Sequence, residues 1–454
     1  MARAKKEAAL TPEERLQAAL VPDWEWPYKL TENWCWTRMQ EIAQWGSGGT
    51  PSRKVSEYYN GDISWVKTGE LNDDYIFATE EHITQEAISH SSAKIYPTDT
   101  VVIAMYGATI GKVGILGIPA ATNQACACAI VKPSTDYKYL FYYAQSQKDD
   151  FIKKGKGGAQ PNISQEIIKF HQFPLPPLAE QHRIVDRIES LFAKLDEAKE
   201  KAQAVVDSFE TRKAAILHKA FTGELTAKWR EENGVSSKEW TTCSLSKCCK
   251  IGSGGTPSRK SSKYYAGNIP WIKTGEIEWN EVVDSEEKIS QEAIDNSSAK
   301  LYNPGAVLVA MYGMGVTRGR ASILGVKAAT NQAVCVLQPQ EHLNNRYLFY
   351  FFMCNYWSMR EQAVGGNQLN LSATIIGKQN IDIPPVSEQL EIVRILDNLN
   401  AKERSTKEIA ETVIEQIDTL KKAILARAFR GELGTNDPSE ESALELLKRM
   451  LESK

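Results

Sequence analysis

Apolar positions along this chain follow two different rhythms. Over Ile184, Ile188, Leu191, Leu195, Ala198, Ala202, Val205, Phe209 and Ile216 they recur in alternating steps of four and three, missing only at Arg212. The lattice returns at Ile392, Leu396, Leu399, Ala410, Val413, Ile417, Leu420 and Ile424, interrupted at Glu403 and Thr406. A seam held over about five heptads predicts coiled-coil helices, and about 40 residues rising 1.5 Å each give a rod of roughly 60 Å. Elsewhere short apolar runs such as Thr100–Met105 and Val307–Met311 are bounded by Gly, Pro, Asn and Asp, the punctuation of strands and turns. Tyr137–Gln147 and Asn345–Met353 read as short aromatic-rich helices.

Both rhythms occur twice because the sequence itself occurs twice. Gly46-Ser47-Gly48-Gly49-Thr50-Pro51-Ser52-Arg53-Lys54 returns unchanged at Gly252 to Lys260, and Trp65-Val66-Lys67-Thr68-Gly69-Glu70 returns as Trp271-Ile272-Lys273-Thr274-Gly275-Glu276. Both pairs are offset by 206 residues. A small insertion then raises the offset to 208, at which Ala121-Thr122-Asn123-Gln124-Ala125 matches Ala329-Thr330-Asn331-Gln332-Ala333. A nine-residue identity at a fixed spacing marks a tandem duplication. The expected fold is α+β: two homologous globular domains, 34–178 and 240–386, separated by two long antiparallel coiled-coil helices, 179–233 and 387–433. Residues 1–33 form an N-terminal extension, and 434–454 a tail in which Leu444, Leu447 and Met450 outline a short amphipathic helix. Such a chain has an internal pseudo-two-fold axis. A rod of roughly 60 Å would span nearly two turns of B-DNA and act as a ruler between two half-sites.

Composition narrows the class without deciding it. Forty-two per cent apolar and 24% charged residues describe a globular protein, and the net charge of −3 leaves the choice of partner open, because phosphate binding depends on local placement of Lys and Arg. No run of about 18 apolar residues occurs, the N-terminus lacks a secretory h-region, and none of the eight cysteines forms a C-x-x-C pair. Reduced thiols, a cytoplasmic location and no membrane partner are expected.

The motifs of catalysis are missing. Leu175-Pro176-Pro177-Leu178 and Ile383-Pro384-Pro385-Val386 lack the amide or acid and the aromatic of an adenine methyltransferase tetrapeptide. Gly107-Ala108-Thr109-Ile110-Gly111-Lys112 imitates a P-loop, but has three residues between its glycines and Val113 where Ser or Thr should bind magnesium. The E-x-K of Glu286-Glu287-Lys288 becomes Glu80-Glu81-His82 in the other copy, and the six histidines form no cluster. These absences point to a chain with no catalytic residues, metal or cofactor of its own.

Several motifs together resemble the specificity subunits of type I restriction–modification systems over about residues 20–433. Gly48-Gly49-Thr50-Pro51-Ser52 and its twin look like the opening of that family's target-recognition domains, and Ala108 to Lys112 followed by Asn123-Gln124 is similar to a later stretch. Leu175-Pro176-Pro177-Leu178-Ala179-Glu180-Gln181 and Ile383-Pro384-Pro385-Val386-Ser387-Glu388-Gln389 look like junctions into the spacer helices, and Ala220 to Leu225 with Trp229-Arg230 resembles the end of the first spacer. The resemblance implies one target-recognition domain per half-site of double-stranded DNA and spacer helices that hold two modification subunits. Those partners would carry S-adenosylmethionine and methylate adenine; restriction or motor subunits would use ATP and magnesium. The second copy departs from the pattern at Met314-Gly315-Val316-Thr317-Arg318-Gly319-Arg320. A scaffold that binds proteins through its repeated domains is the competing class.

Comparing the copies nominates contacts. The frame is shared, but Leu71–Tyr75 differs from Ile277–Glu281, Ala108–Gly114 from Met314–Ser322, and Ala159–Pro161 from Asn367–Leu369. Base edges are read by Arg or Lys on guanine and Asn or Gln on adenine, which nominates Lys112, Gln160 and Asn162 in one copy and Arg318, Arg320, Gln368 and Asn370 in the other. Asn123, Gln124, Asn331 and Gln332 join them. Shared residues suit phosphates, which position without specifying: Ser52, Arg53, Lys54 and Lys67, with Ser258, Arg259, Lys260 and Lys273. Because the copies are so alike, the target is expected to be an interrupted near-palindrome.

Overall fold

The computed structural model describes residues 11–155, 161–313, 315–363 and 370–452. They group into two compact units, Met1–Lys201 with Val413–Lys454, and Ala202–Thr412. Each unit holds one globular head, the start of one long helix and the end of the other.

The two heads are built from the same strands in the same order. In the first, a five-stranded sheet runs Ala43–Ser47, Cys126–Val131, Val101–Ala104, Val113–Leu116, Asp74–Ile76. Only the last pairing is parallel. A four-stranded sheet runs His82–Ile83, Tyr59–Val66, Ala120–Thr122, Ile95–Tyr96, and Cys35–Arg38 pairs with Gln172–Leu175. The second head repeats the five-stranded order with Cys249–Ser253, Val334–Pro339, Val307–Ala310, Ala321–Leu324 and Glu281–Val282. Its central strand carries the predicted run Val307–Ala310, fully buried and therefore apolar at every position. The predicted aromatic helices are Tyr137–Ser146 and Asn345–Cys354. Asp136 and Asn344 cap them, each accepting from two backbone N–H groups of the first turn.

The proline pairs end the last strand of each head, and the Glu-Gln after them locks the joint. Gln181 accepts from the Asp136 N–H (2.9 Å) and donates to the Pro176 carbonyl (3.0 Å). Gln389 does the same with Asn344 (2.8 Å) and Pro384 (2.8 Å). The neighbouring carboxylates are buried. Glu180 takes the Trp34 indole N–H at 2.9 Å, and Glu388 takes that of Trp240 at 2.9 Å, the Thr226 hydroxyl at 2.6 Å and Arg230 at 2.5 Å. A buried charge is tolerated only with such partners.

The long helices are Leu178–Phe221 and Val386–Ala428, and they pair antiparallel. In the first unit Asp196 meets Lys421 (2.6 Å) and Lys199 meets Asp418 (3.7 Å); in the second Phe209 lies under Lys407 and Arg212 meets Glu403 (2.8 Å). Residue numbers fall along one helix as they rise along the other. Two interruptions of the expected seam, Arg212 and Glu403, thus satisfy each other. The seam of the second helix differs from expectation in one respect. Val413 and Leu420 are 37% and 48% exposed, while Ala410 and Ile417 are buried and Ile414, Lys421 and Ile424 half-buried. Lys421 takes the place expected for leucine because its stem covers the Phe192 ring and its ammonium reaches Asp196.

The segments outside the repeat pack on the first head. Pro12–Ala19, opened by a Thr11–Glu14 capping box, lies against the tail helix Ala443–Glu452. Leu446, Leu447, Met450 and Leu451 are buried in the same cluster as Met39, Ile42 and Tyr139. Arg183 clamps Glu440 through two parallel bonds of 2.8 Å.

Candidate nucleic-acid interface

The most repetitive motif of the sequence is first a packing device. A Cβ on Gly48 would stand 2.0 Å from the Thr122 carbonyl oxygen, and one on Gly254 1.8 Å from that of Thr330, so only glycine allows the approach. The buried Trp65 and Trp271 donate to the carbonyls of Gly49 and Gly255 (3.0 Å each), and Tyr59 and Tyr265 to those of Pro51 and Pro257 (2.6 and 2.7 Å). Thr50 bonds to Gln124 and Thr256 to Gln332. The Gly-Gly-Thr-Pro loop is thereby fixed against the Asn123–Gln124 and Asn331–Gln332 turns.

That turn is the meeting point of the other loops. Asn123 N–H donates to the Val66 carbonyl (2.9 Å), which brings in Lys67, and Met105 N–H donates to Ala125 (2.8 Å). Ile163 N–H donates to Met105 (2.9 Å) and Gly107 N–H to Pro161 (2.9 Å). In the second head Met311 bonds to Ala333 (2.9 Å) and Leu371 to Met311 (3.0 Å). One connected rim of each head therefore carries Ser52, Arg53, Lys54, Lys67, Lys112, Asn123, Gln124 and Asn162, or Ser258, Arg259, Lys260, Lys273, Arg318, Arg320, Asn331, Gln332 and Asn370. Gln160 and Gln368 lie outside the described residues.

Exposure and charge sort these side chains. Ser52, Lys54, Gln124, Asn162, Ser258, Lys260 and Gln332 are exposed; Lys112, Asn123, Arg318, Arg320, Asn331 and Asn370 are half-buried. Arg53 lies over the rings of Tyr59 (4.4 Å) and Trp65 (5.3 Å) and pairs with Glu81 at 2.6 Å; Arg259 repeats this with Tyr265, Trp271 and Glu287. Lys67 reaches Glu80 and Glu81, both at 3.0 Å, and Lys273 reaches Glu287 at 3.0 Å. The hydrogen bond from Arg259, then that from Lys273, pulls the Glu287 carboxyl down to about 2, and Glu81 is lowered by the equivalent bonds from Arg53, then Lys67. The arginine and lysine shared by both copies thus already have carboxylate partners, whereas Ser52 and Lys54 point outward beside them.

Two aromatic residues also reach the rim. Tyr106 and Tyr312 follow buried strands, yet they are 45% and 40% exposed at the start of the loops that differ most between the heads. In the first head that loop closes on itself, the Thr109 hydroxyl donating to the Tyr106 carbonyl at 2.8 Å. In the second it is two residues longer and leans on Arg360 and Tyr356. Neither residue was nominated from the sequence; the signal was Arg360 standing where the first copy has Ile152.

Among the described residues no group of three or more His, Cys, Asp or Glu could hold a metal, and no helix is long and apolar enough to cross a membrane. The family model described as the type I restriction modification DNA specificity domain matches twice, over residues 31–206 and 237–416. The chain belongs to this specificity family. Related specificity subunits include that of the MjaIX type I restriction enzyme of Methanocaldococcus jannaschii, 25% identical over 334 residues, covering 72% of this chain and 76% of that one. The EcoKI specificity subunit of Escherichia coli K12 is 22% identical over 436 residues, 89% of this chain and 90% of its own. The HsdS subunit of Thermoanaerobacter tengcongensis has the same fold, with a TM-score of 0.65 at 19% identity over 90% of this chain and 99% of that one. A chain from a structure describing assembly and conformational transition of a type I R-M system gives 0.68 at 20% identity, over 90% of this chain and all of the other. The duplicated specificity domain accounts for both the repeat and the matched rims.

Proposed function

We propose that this chain is the sequence-reading subunit of a type I restriction–modification complex and that its two heads each bind one half of a bipartite, near-palindromic DNA target. The observation that carries the reading is the pairing of a common frame with differing loops. The Gly-Gly-Thr-Pro rims repeat bond for bond, while the chain differs at Ala108–Gly114 against Met314–Ser322. A shared frame suits the shared backbone of DNA, and divergent loops bearing Lys112 and Asn162, or Arg318, Arg320 and Asn370, suit base edges. Catalysis then resides in partners: two modification subunits that use S-adenosylmethionine on adenine, and motor subunits that use ATP and magnesium.

The test is methylation mapping in cells that carry the chain with its modification subunits. An interrupted motif with two related half-sites in inverted orientation is the expected result. Two unrelated half-sites would overturn the near-palindrome, and no sequence-specific methylation would overturn the reading. A protein-binding scaffold would show no DNA affinity falling steeply between about 50 and 200 mM salt, the counterion-release signature expected here.

A further inference from the structure

The longer loop of the second head keeps the backbone closure of the first head's turn and adds anchors from outside itself. Within Tyr106–Lys112 the turn is tied by its own residues, with Thr109 bonded to Tyr106 and the Lys112 N–H donating to the Thr109 carbonyl at 2.9 Å. Within Gly315–Arg320 the matching backbone bond remains, the Arg320 N–H donating to the Thr317 carbonyl at 3.1 Å, and further ties come from outside the loop. Arg360 donates one guanidinium N–H to the Arg318 carbonyl (2.5 Å) and another to that of Gly315 (2.7 Å), while the Tyr356 hydroxyl donates to Val316. Three carbonyls of the loop, those of Gly315, Val316 and Arg318, are thus held by two side chains of one helix, Tyr356–Glu361.

The same two side chains also carry a second loop. The Arg360 guanidinium lies 5.2 Å from the Tyr356 ring and 5.7 Å from that of Trp357. Trp279, in the divergent Ile277–Glu281 segment, packs edge-on to Tyr356 at 5.4 Å. Its neighbour Glu278 pairs with Arg320 at 3.7 Å. Gly319, at φ +88°, leaves room for this packing, since a Cβ there would stand 3.3 Å from Arg360 and 3.4 Å from Tyr356. At the equivalent positions the first head has Lys148, Ile152 and Asp73, and none of them is aromatic or a guanidinium. Two of the three segments that distinguish the heads are therefore bound to one platform, whose residues the first head lacks.

We propose that Arg360, seated on Tyr356, is the positioning residue that sets the Arg318–Arg320 loop for base reading in the second head, so that half-site discrimination there depends on a residue that touches no DNA. A guanidinium is needed because its rigid fork reaches two carbonyls at once and stacks on the ring, which a lysine ammonium does not. The inference rests on the DNA-reading assignment above. The test is equilibrium binding of the reconstituted complex to its mapped target and to single-base variants of each half, for wild type, Arg360→Ala, Arg360→Lys and Tyr356→Phe. Loss of a well-set base contact lowers discrimination by about tenfold or more. That loss is expected for Arg360→Ala and Arg360→Lys in the half read by the second head only, with a smaller loss for Tyr356→Phe. Unchanged discrimination in a folded Arg360→Ala complex, or equal loss in both halves, overturns the proposal. If Arg360→Ala fails to fold, Tyr356→Phe decides, since it removes a single hydroxyl. If wild type discriminates in neither half, the DNA-reading assignment itself fails and the proposal falls with it.

Discussion

Replacing Arg230 by methionine removes the cation from a carboxylate that has nowhere else to go. Glu388 is fully buried and Arg230 nearly so, with side-chain exposures of 0% and 13%. The arginine donates to Glu388 at 2.5 Å, to the Thr226 hydroxyl at 3.1 Å and to the Gly223 carbonyl at 2.6 Å. Methionine keeps the stem against Trp240 but leaves the charge with only Thr226 and Trp240. Deleting one partner of a buried pair costs about 3–5 kcal/mol. In a unit of this size each kcal/mol moves the melting temperature by about 2–4 °C, so the transition of the unit Ala202–Thr412 should fall by roughly 10 °C. Calorimetry of the full chain is the assay. Glu388→Gln added to the variant should recover part of the loss, because the unpaired charge is then gone. A variant that melts within about 2 °C of wild type would refute the reasoning, since the carboxylate would then have to be reached by water. The first unit offers the internal contrast: Glu180 is bonded to Trp34 and Thr435, while Arg183 is committed to Glu440.

Three further outcomes follow from the same geometry. Arg212→Leu or Glu403→Leu alone should lower the melting temperature of the chain, and the double variant should not, because the equivalent positions in the other half are Leu195 and Leu420. Ending the chain after Asn436 removes Leu446, Leu447, Met450 and Leu451 from the first core, a loss on the order of 6 kcal/mol or more. Proteolysis should then open the first unit and spare the second. Burial, then the Lys154 ammonium 2.9 Å away, lowers His171 to about 4. Its neutral form is the folded one, so the unfolded chain takes up the proton first as pH falls. The contribution is full above about pH 6.5 and lost toward pH 4, roughly 3 kcal/mol in all. His171→Gln, which copies Gln379 of the second head, should flatten that part of the stability–pH curve.

Much of this architecture was legible because it was written twice. The 206-residue offset exposed the duplication, and the four-three spacing exposed both long helices, with starts within one residue of Leu178 and Val386. The expected spans 179–233 and 387–433 overran the helix ends, because the chain turns at Gly223 and Gly431, both at positive φ. What else stayed hidden was set by three-dimensional neighbours. The seam slips from Val413 to Ile414 and from Leu420 to Lys421, because a lysine whose stem covers Phe192 serves as well as an apolar residue there. The Gly-Gly-Thr-Pro loop reads as a binding motif until Thr122 and Trp65 are seen pressed against it. Tyr106 and Tyr312 directly follow apolar strands, and the turn after each strand brings them to the surface. The tail helix gave its amphipathic face to the sequence pattern but not its seat on Pro12–Ala19, some 430 residues away in the chain.

The central claim is that each head reads its own half of the target. Methylation mapping of a chain in which residues 240–383 are replaced by a second copy of 34–175 tests it most directly. A fully symmetric target, with the first head's half-site on both sides, is the predicted result. An unchanged target, or methylation without sequence preference, would contradict the account.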